Sequence, residues 1–333
     1  MRRRRFLAAA MGTVAMARPV LGAKARPRPV SYPRVVRLTS DREFQDARPC
    51  FSPDGSTILF MRNRIIPGRT AQTGPSEFWT VPALGGVAER FAAVDSVQLT
   101  RPDWSWHRDA YEIAFEAVRN GRQSIWLMDV ATRRCELVLG GLTTENRLYS
   151  YPSWYPGGRF LSVTNYWSEG DDPESRQRLM LVSLDGRTRA LTNPAVIWPG
   201  MSSVYPGPSC GDDVSPPIAF AGERPTPAGY NQDDNQIWIR HSDGRVAPVD
   251  GQQARAPWWS PDGRLLALES NRLTGGNYQI FVQSPYHPRQ IRPITPPTMK
   301  VQHAKWSPDG RLITFAYAID SVAQGIAVAY LGG

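Results

Sequence analysis

Four histidines, three cysteines and several acidic pairs are the residues of this 333-residue chain whose types could do chemistry. Gly207-Pro208-Ser209-Cys210-Gly211 fits the Gly-x-Ser-x-Gly expression of a serine nucleophile. That expression works through a strained strand-to-helix turn that lifts the serine towards an oxyanion hole. No helical pattern follows it here, so the match lacks the context that would make it catalytic. His107, His241, His287 and His303 have no metal-ligand spacing, and neither an HExxH motif nor an EF-hand loop occurs. Asp171-Asp172-Pro173-Glu174 and Asp233-Asp234-Asn235 read as solvated loop tips, with Ca²⁺ binding as the other reading. Cys50, Cys135 and Cys210 are an odd number without a CxxC pair and are expected as separate buried thiols. No cofactor is implied by any of these.

A second set of residues gains its meaning from position. Pro49, Pro102, Pro152, Pro206, Pro257 and Ala304 follow one another at steps of 53, 50, 54, 51 and 47 residues. Each opens the same local pattern, seen most fully in Pro257-Trp258-Trp259-Ser260-Pro261-Asp262-Gly263 before the apolar run Leu265-Leu266-Ala267-Leu268. Asp-Gly makes a tight turn, because Gly accepts positive φ and Asp bonds its own backbone, so the pattern predicts a β-hairpin. Ser52-Pro53-Asp54-Gly55 and Ser307-Pro308-Asp309-Gly310 repeat it, and Tyr205-Pro206-Gly207-Pro208 is its most degraded copy. A third strand follows in each repeat, for example Phe78–Val81, Ile125–Met128 and Ile280–Val282, and most continue into a short fourth. Four antiparallel strands per repeat of about fifty residues is the pattern of propeller blades. One such sheet cannot bury both its faces, so the copies must stack around a ring.

The Ser-Pro-Asp-Gly hairpin followed by an Ile-Tyr/Trp-type strand resembles the repeat of the TolB-like six-bladed propellers, and it covers about residues 32–331. The resemblance implies an all-β, six-bladed propeller with four strands per blade. It implies little about function, since such blades serve scaffolds, peptidase domains and lyases. The first repeat begins almost directly after a leader, so the amino-terminal α/β domain of TolB itself is expected to be missing. Val35-Val36-Arg37-Leu38-Thr39 resembles the fourth-strand ending Arg189-Ala190-Leu191-Thr192, whereas the sixth repeat stops after its third strand. The amino-terminal segment is therefore expected to supply the last blade's outer strand and remove an exposed edge.

In a propeller the innermost strand of each blade lines the axial channel. The residues before the repeat markers are Arg48, Arg101, Tyr151, Tyr205, Ala256 (with Arg255 beside it) and His303. The loops between second and third strands open on the same face and bring Asn63, Arg64, Asn271 and Arg272. Together these predict a basic, aromatic funnel for a carboxylate, a peptide terminus or an acidic sugar. The alternative is that the same side chains fasten one blade to the next.

Residues 1–23 read as an export signal: Arg2 to Arg5, a small apolar run, and Ala15-Met16-Ala17 as a cleavage box, with a later cut near Gly22 or Ala23 also open. Arg3-Arg4-Arg5-Phe6-Leu7 resembles the twin-arginine pattern, and a general secretory signal is the other reading. Residues 24–31 form a basic, Pro-rich stem and residues 32–333 the propeller. Removing Arg2, Arg3, Arg4, Arg5 and Arg18 with the leader lowers the formal net charge from +9 to +4. A spread excess of that size excludes a nucleic-acid binder, which needs a concentrated stripe. No apolar run of ~18 residues could span a bilayer. The sequence is thus expected to specify a monomeric, periplasmic binding scaffold for a protein, peptide or anionic ligand. The alternative is a lyase or hydrolase in the same funnel, for which His303 is the obvious titrating residue.

Overall fold

The structure is a computed structural model that describes residues 31–66, 76–94, 96, 101–104, 112–140, 147–167, 176–206, 216–226, 231 and 234–332. The segments read above as export signal and stem up to residue 30, Gly207–Gly211 with Cys210, His107, Asp171–Glu174 and Asp233 lie outside the described residues.

Turn chemistry sets up each hairpin. Ser52 Oγ donates to Asp54 Oδ1 at 2.5 Å, the Ser56 amide donates to the same oxygen at 3.0 Å, and the Thr57 amide donates to Ser52 Oγ at 3.0 Å. Ser260 with Asp262 and Ser307 with Asp309 repeat the arrangement. The glycine that ends each turn, Gly55, Gly263 or Gly310, sits at a φ of 73°, 67° or 72°. That region admits glycine without a Cβ penalty.

These hairpins extend into sheets of four antiparallel strands. One contains β6 (Pro102–Trp104), β7 (Glu112–Arg119), β8 (Arg122–Asp129) and β9 (Cys135–Leu139). The next contains β10 (Arg147–Trp154), β11 (Phe160–Trp167), β12 (Arg176–Ser183) and β13 (Thr188–Ala190). A third runs through β14 (Trp198–Val204), β15 (Ile218–Glu223), β16 (Gln236–Arg240) and β17 (Val246–Gln253). The fourth runs through β18 (Arg255–Trp259), β19 (Leu266–Ser270), β20 (Gln279–Gln283) and β21 (Ile291–Pro293).

The remaining strands make one eight-stranded sheet. Half of it is β2 (Phe44–Phe51), β3 (Thr57–Arg64), β4 (Glu77–Pro82) and β5 (Glu89–Ala93). The other half is β22 (Val301–Trp306), β23 (Leu312–Ala318), β24 (Gln324–Tyr330) and β1 (Arg34–Arg37). A parallel contact at Gln45 and Gln324 joins the halves.

The fourth strand beside β24 is β1, antiparallel, with Arg34 opposite Tyr330 and Arg37 opposite Ala327. Thr39 closes the join: its Oγ1 accepts the Ile326 amide at 2.9 Å and its carbonyl accepts the Tyr317 hydroxyl at 2.9 Å. The chain passes so close here that a Cβ on Gly325 would lie 2.3 Å from the Thr39 carbonyl oxygen.

Apolar side chains fill the spaces between consecutive sheets. Ala267 and Ile280 of one sheet meet Trp306 and Phe315 of the next. Across the halves of the large sheet, Phe51 and Phe60 likewise meet Leu312 and Ile326. Cys50 on β2 is a buried free thiol as expected, and burial raises its pKa to about 11. Cys135 on β9 is also free but only half-buried, because β9 is an outer strand with one face towards solvent.

Candidate functional site

The innermost strands carry a repeated bulge, and that bulge builds the site. Register slips between Ala47 and Cys50, Ser150 and Ser153, Arg255 and Trp258, and Gln302 and Lys305. The first extra residue of each, Arg48, Tyr151, Ala256 or His303, has φ between 50° and 62°. L-residues seldom adopt that conformation, and such a kink re-aims a side chain out of the sheet's alternation. All four, together with Arg101 and Met201, line one axial cavity of about 380 Å³, which Arg255 and Glu269 also border.

Met201 corrects the sequence reading of the fourth repeat. Its inner strand is β14, with Ser203 opposite Ala219 and Val204 opposite Ile218, so Met201 and Ser202 hold the places of Arg48 and Pro49. Tyr205 lies four residues beyond, at the far end of the strand. There its ring stands edge-on to Trp259 at 5.3 Å and fills the space beside Gly263. The absence of proline at the true bulge, with Tyr205-Pro206 close behind, displaced the alignment. The four loop residues also stay out of the cavity. Asn63 is buried opposite Gln45, and Arg64 is exposed beside Glu43 at 3.4 Å. Asn271 uses its carbonyl to hold a turn, and Arg272 reaches back to Asp250 at 3.0 Å. What their loop does contribute is Gly276, Asn277 and Tyr278, on the wall of an adjoining groove.

Charge within the cavity is unevenly partnered. Arg101 donates to Glu116 at 2.7 Å and lies 4.1 Å over the Tyr151 ring. Arg255 donates to Glu269 at 2.9 Å and lies 3.8 Å over Tyr278. The same two glutamates each accept a bulge amide from the following sheet, Tyr151 N–H on Glu116 and His303 N–H on Glu269. Lys305 contacts Asp103 at 3.2 Å and the Pro102 carbonyl at 2.9 Å, over Trp258. Asp46 and Asp103, the carboxylates nearest Arg48 and Arg101 in sequence, are thus engaged by Arg62 and Lys305 instead.

Arg48 differs from the other cations. Its Nε and Nη1 are buried with no hydrogen-bond partner. The register shows why: Arg101 and Arg255 find their glutamates on the second strand of their own sheets, and the equivalent position in Arg48's sheet is Met61 on β3, while the preceding sheet has Ala316 where Glu116 and Glu269 accept the next bulge amide. Burial and then the Arg101 charge push Arg48 down to about 9. Since guanidinium holds its proton so tenaciously, a site under such stress gains most from a counter-anion. His303 stands beside it with Nδ1 buried and unpartnered. Burial, then Arg48, Arg101, Arg255 and Lys305, hold its pKa well below the ordinary histidine value, so the imidazole is neutral.

The sheets are fastened to one another mainly by other residues. Asp103 Oδ2 accepts the Trp154 amide at 3.0 Å, Ser153 Oγ the Val204 amide at 3.2 Å, and Ser203 Oγ the Trp259 amide at 3.2 Å. These residues lie two positions after Arg101, Tyr151 and Met201, and the two serines carried no visible signal, because serine is common in strands and turns alike.

The class that this architecture defines is the all-β propeller. No family model matches the sequence, and no curated protein matches it. Among solved structures it is similar to an oligogalacturonate lyase in complex with manganese, at 18% identity over 90% of this chain and 93% of that one, with a TM-score of 0.57. It is also similar to TolB from Acinetobacter baumannii, at 18% identity over 88% of this chain and 63% of that one, with a TM-score of 0.59. Oligogalacturonate lyase from Vibrio parahaemolyticus follows at 13% identity, 90% and 94% coverage, and a TM-score of 0.56. Likeness at such identity speaks for the fold. As for manganese, no group of three His, Cys, Asp or Glu converges among the described residues. One imidazole ringed by four cations does not suit a divalent metal.

Proposed function

We propose that the chain is an exported, six-bladed propeller of TolB-like type that binds the anionic group of a ligand or protein partner in its axial cavity. The six-blade count is supported by six bulge-position residues around the cavity. It is supported too by the apolar packing between the halves of the eight-stranded sheet, which matches that between separate sheets. Export rests on the leader sequence, and a periplasmic destination suits the likeness to TolB.

The single observation that carries the binding reading is the unpartnered, buried Arg48 guanidinium. A stability role would have supplied it with a carboxylate, as Arg101 and Arg255 are supplied. Arg48→Ala should therefore leave the melting temperature unchanged or raise it, since an uncompensated buried charge is lost. The same variant should lose at least ten-fold in affinity for acidic peptides or acidic oligosaccharides in calorimetric titration. Arg101→Ala, by contrast, strands Glu116 and should cost about 3–5 kcal/mol of stability. An Arg48→Ala protein that melts as early as Arg101→Ala, and whose parent binds no anion, would sink the reading.

A second reading, a lyase or hydrolase in the same cavity, draws on His303, whose neutral imidazole is the form a general base requires. Its orienting carboxylate is missing, because Glu269 is engaged by the His303 backbone and Arg255. Time-dependent breakdown of a bound oligomer, abolished in His303→Gln, would favour it.

A further inference from the structure

We infer that the occupant of the axial cavity is the free carboxyl terminus of a peptide chain whose preceding residues leave through a lateral groove; this rests on the anion-binding reading above. Three features select this chemistry: the number of uncompensated charges, the direction in which the cavity opens, and the polarity of that opening.

The charge count asks for one carboxylate. Arg48, Arg101, Arg255 and Lys305 face Glu116, Glu269 and Asp103 among the described residues, and only Arg48 is left without a partner. His303 adds no charge while its pKa stays low, but its buried Nδ1 can serve a second carboxylate oxygen.

Passage deeper along the axis is obstructed. Lys305 reaches from β22 to the Pro102 carbonyl and Asp103 of β6, packed on Trp258. Asp103 and Trp258 also wall the small pocket on the far side of this tether. Among the described residues, a chain entering end-on thus meets this tether across its path.

A lateral route opens among the described residues. A groove of about 300 Å³ shares Arg255, Gln302 and Gln324 with the axial cavity. It runs between the β19–β20 turn at Asn277 and the β23–β24 turn at Ser321. With Arg255 paired to Glu269, its charges among the described residues cancel, Lys300 against Asp320, and its other polar groups are mainly amides. Gln302 Nε2 donates to Gln324 Oε1 at 2.9 Å, which leaves the Gln302 Oε1 acceptor and the Gln324 Nε2 donor group for a ligand. A peptide backbone has that alternation of donors and acceptors. A polyuronate would bring a carboxylate with every sugar into a groove that has no surplus cation.

The test uses the mature chain and two probes. One is a fluorescein-labelled library of hexapeptides with free carboxyl termini, read by anisotropy against the same library as carboxamides. The other is N-acetylglycine, read by the ring resonances of His303 in NMR. The free acids should bind at least ten-fold tighter than the amides, and Arg48→Ala should erase the difference. Ser321→Trp, which fills the groove from an exposed turn, should weaken the hexapeptides at least ten-fold and leave N-acetylglycine unaffected. Asn277→Trp on the opposite wall provides the same readout should Ser321→Trp misfold. If N-acetylglycine binds but the hexapeptides gain nothing from their length, or if a triuronate displaces it and the peptides do not, the peptide inference falls and the anion site stands. If no anion shifts His303, both fall.

Discussion

At the scale of single residues, the site turns on an imidazole kept neutral by its neighbours. His303 has its pKa lowered first by burial and then by Arg48, Arg101, Arg255 and Lys305. An anion against Arg48 offsets those charges and makes protonation easier, so binding takes up a proton and tightens as pH falls. The sign for stability is the reverse in the free protein. Unfolded histidine protonates near about 6.5 while the folded one resists, so the folded state loses stability as pH drops below that value. Melting temperatures between pH 7.5 and 5 should fall more steeply for the wild type than for His303→Gln, and saturating N-acetylglycine should narrow the gap. Parallel pH profiles would show that the imidazole titrates as it does in water. None of this was visible in sequence beyond the identity of the side chain. Neutrality is a property of burial and of four cations that lie up to 257 positions apart in the chain, from Arg48 to Lys305.

At the scale of elements, the hairpins were legible because their signal is local. A Ser, an Asp and a Gly at fixed offsets satisfy the turn from within, and the alternating apolar run fixes which face turns inward. β3, β4, β8, β12, β20 and β24 all fall on the runs that the repeat predicts. The bulge residues were legible where proline marks the second extra position or, as at Ala304, where an intact Ser-Pro-Asp-Gly turn follows, and were misplaced in the fourth repeat, which has serine there and lacks that turn. Pairing of arginine with glutamate was illegible, since Arg101 and Glu116 meet only across a strand register. The misassigned Tyr205 has a packing duty that can be measured. A methyl added at Gly263 would lie 2.0 Å from its ring, and the backbone there is left-handed at φ 67°. Gly263→Ala should destabilise the protein by about 1–3 kcal/mol through strain and overpacking together. Tyr205→Ala with Gly263→Ala should recover part of the loss. Equal melting of the single variant and the wild type would mean that the turn relaxes freely.

At the scale of the whole molecule, the proposed export signal and the closing strand are tested separately. Changing Arg3 and Arg4 together to Lys should block transport if the twin-arginine pathway reads the pair. Cell fractionation that finds normal amounts outside the cytoplasm would leave the general secretory reading. For closure, removal of residues 32–39 takes away β1 and the Thr39 contacts, exposing the free edge of β24. The truncated protein should melt well below the full chain, and an unchanged midpoint would show that β24 tolerates an open edge.

The join at Thr39 also sets a timetable for folding. Its hydroxyl and carbonyl serve Ile326 and Tyr317, partners 287 and 278 positions further along the chain. During synthesis the strand made first must wait until the strand made last has been released. Loop-closure entropy delays such distant pairings, so the ring should assemble sheet by sheet and shut only at the end. Until then β24 has no neighbour on its outer side, and the nascent protein passes through a stage in which two complementary edges are available to the wrong copy. Exchange of β1 between two molecules is the misassembly that these two open edges invite.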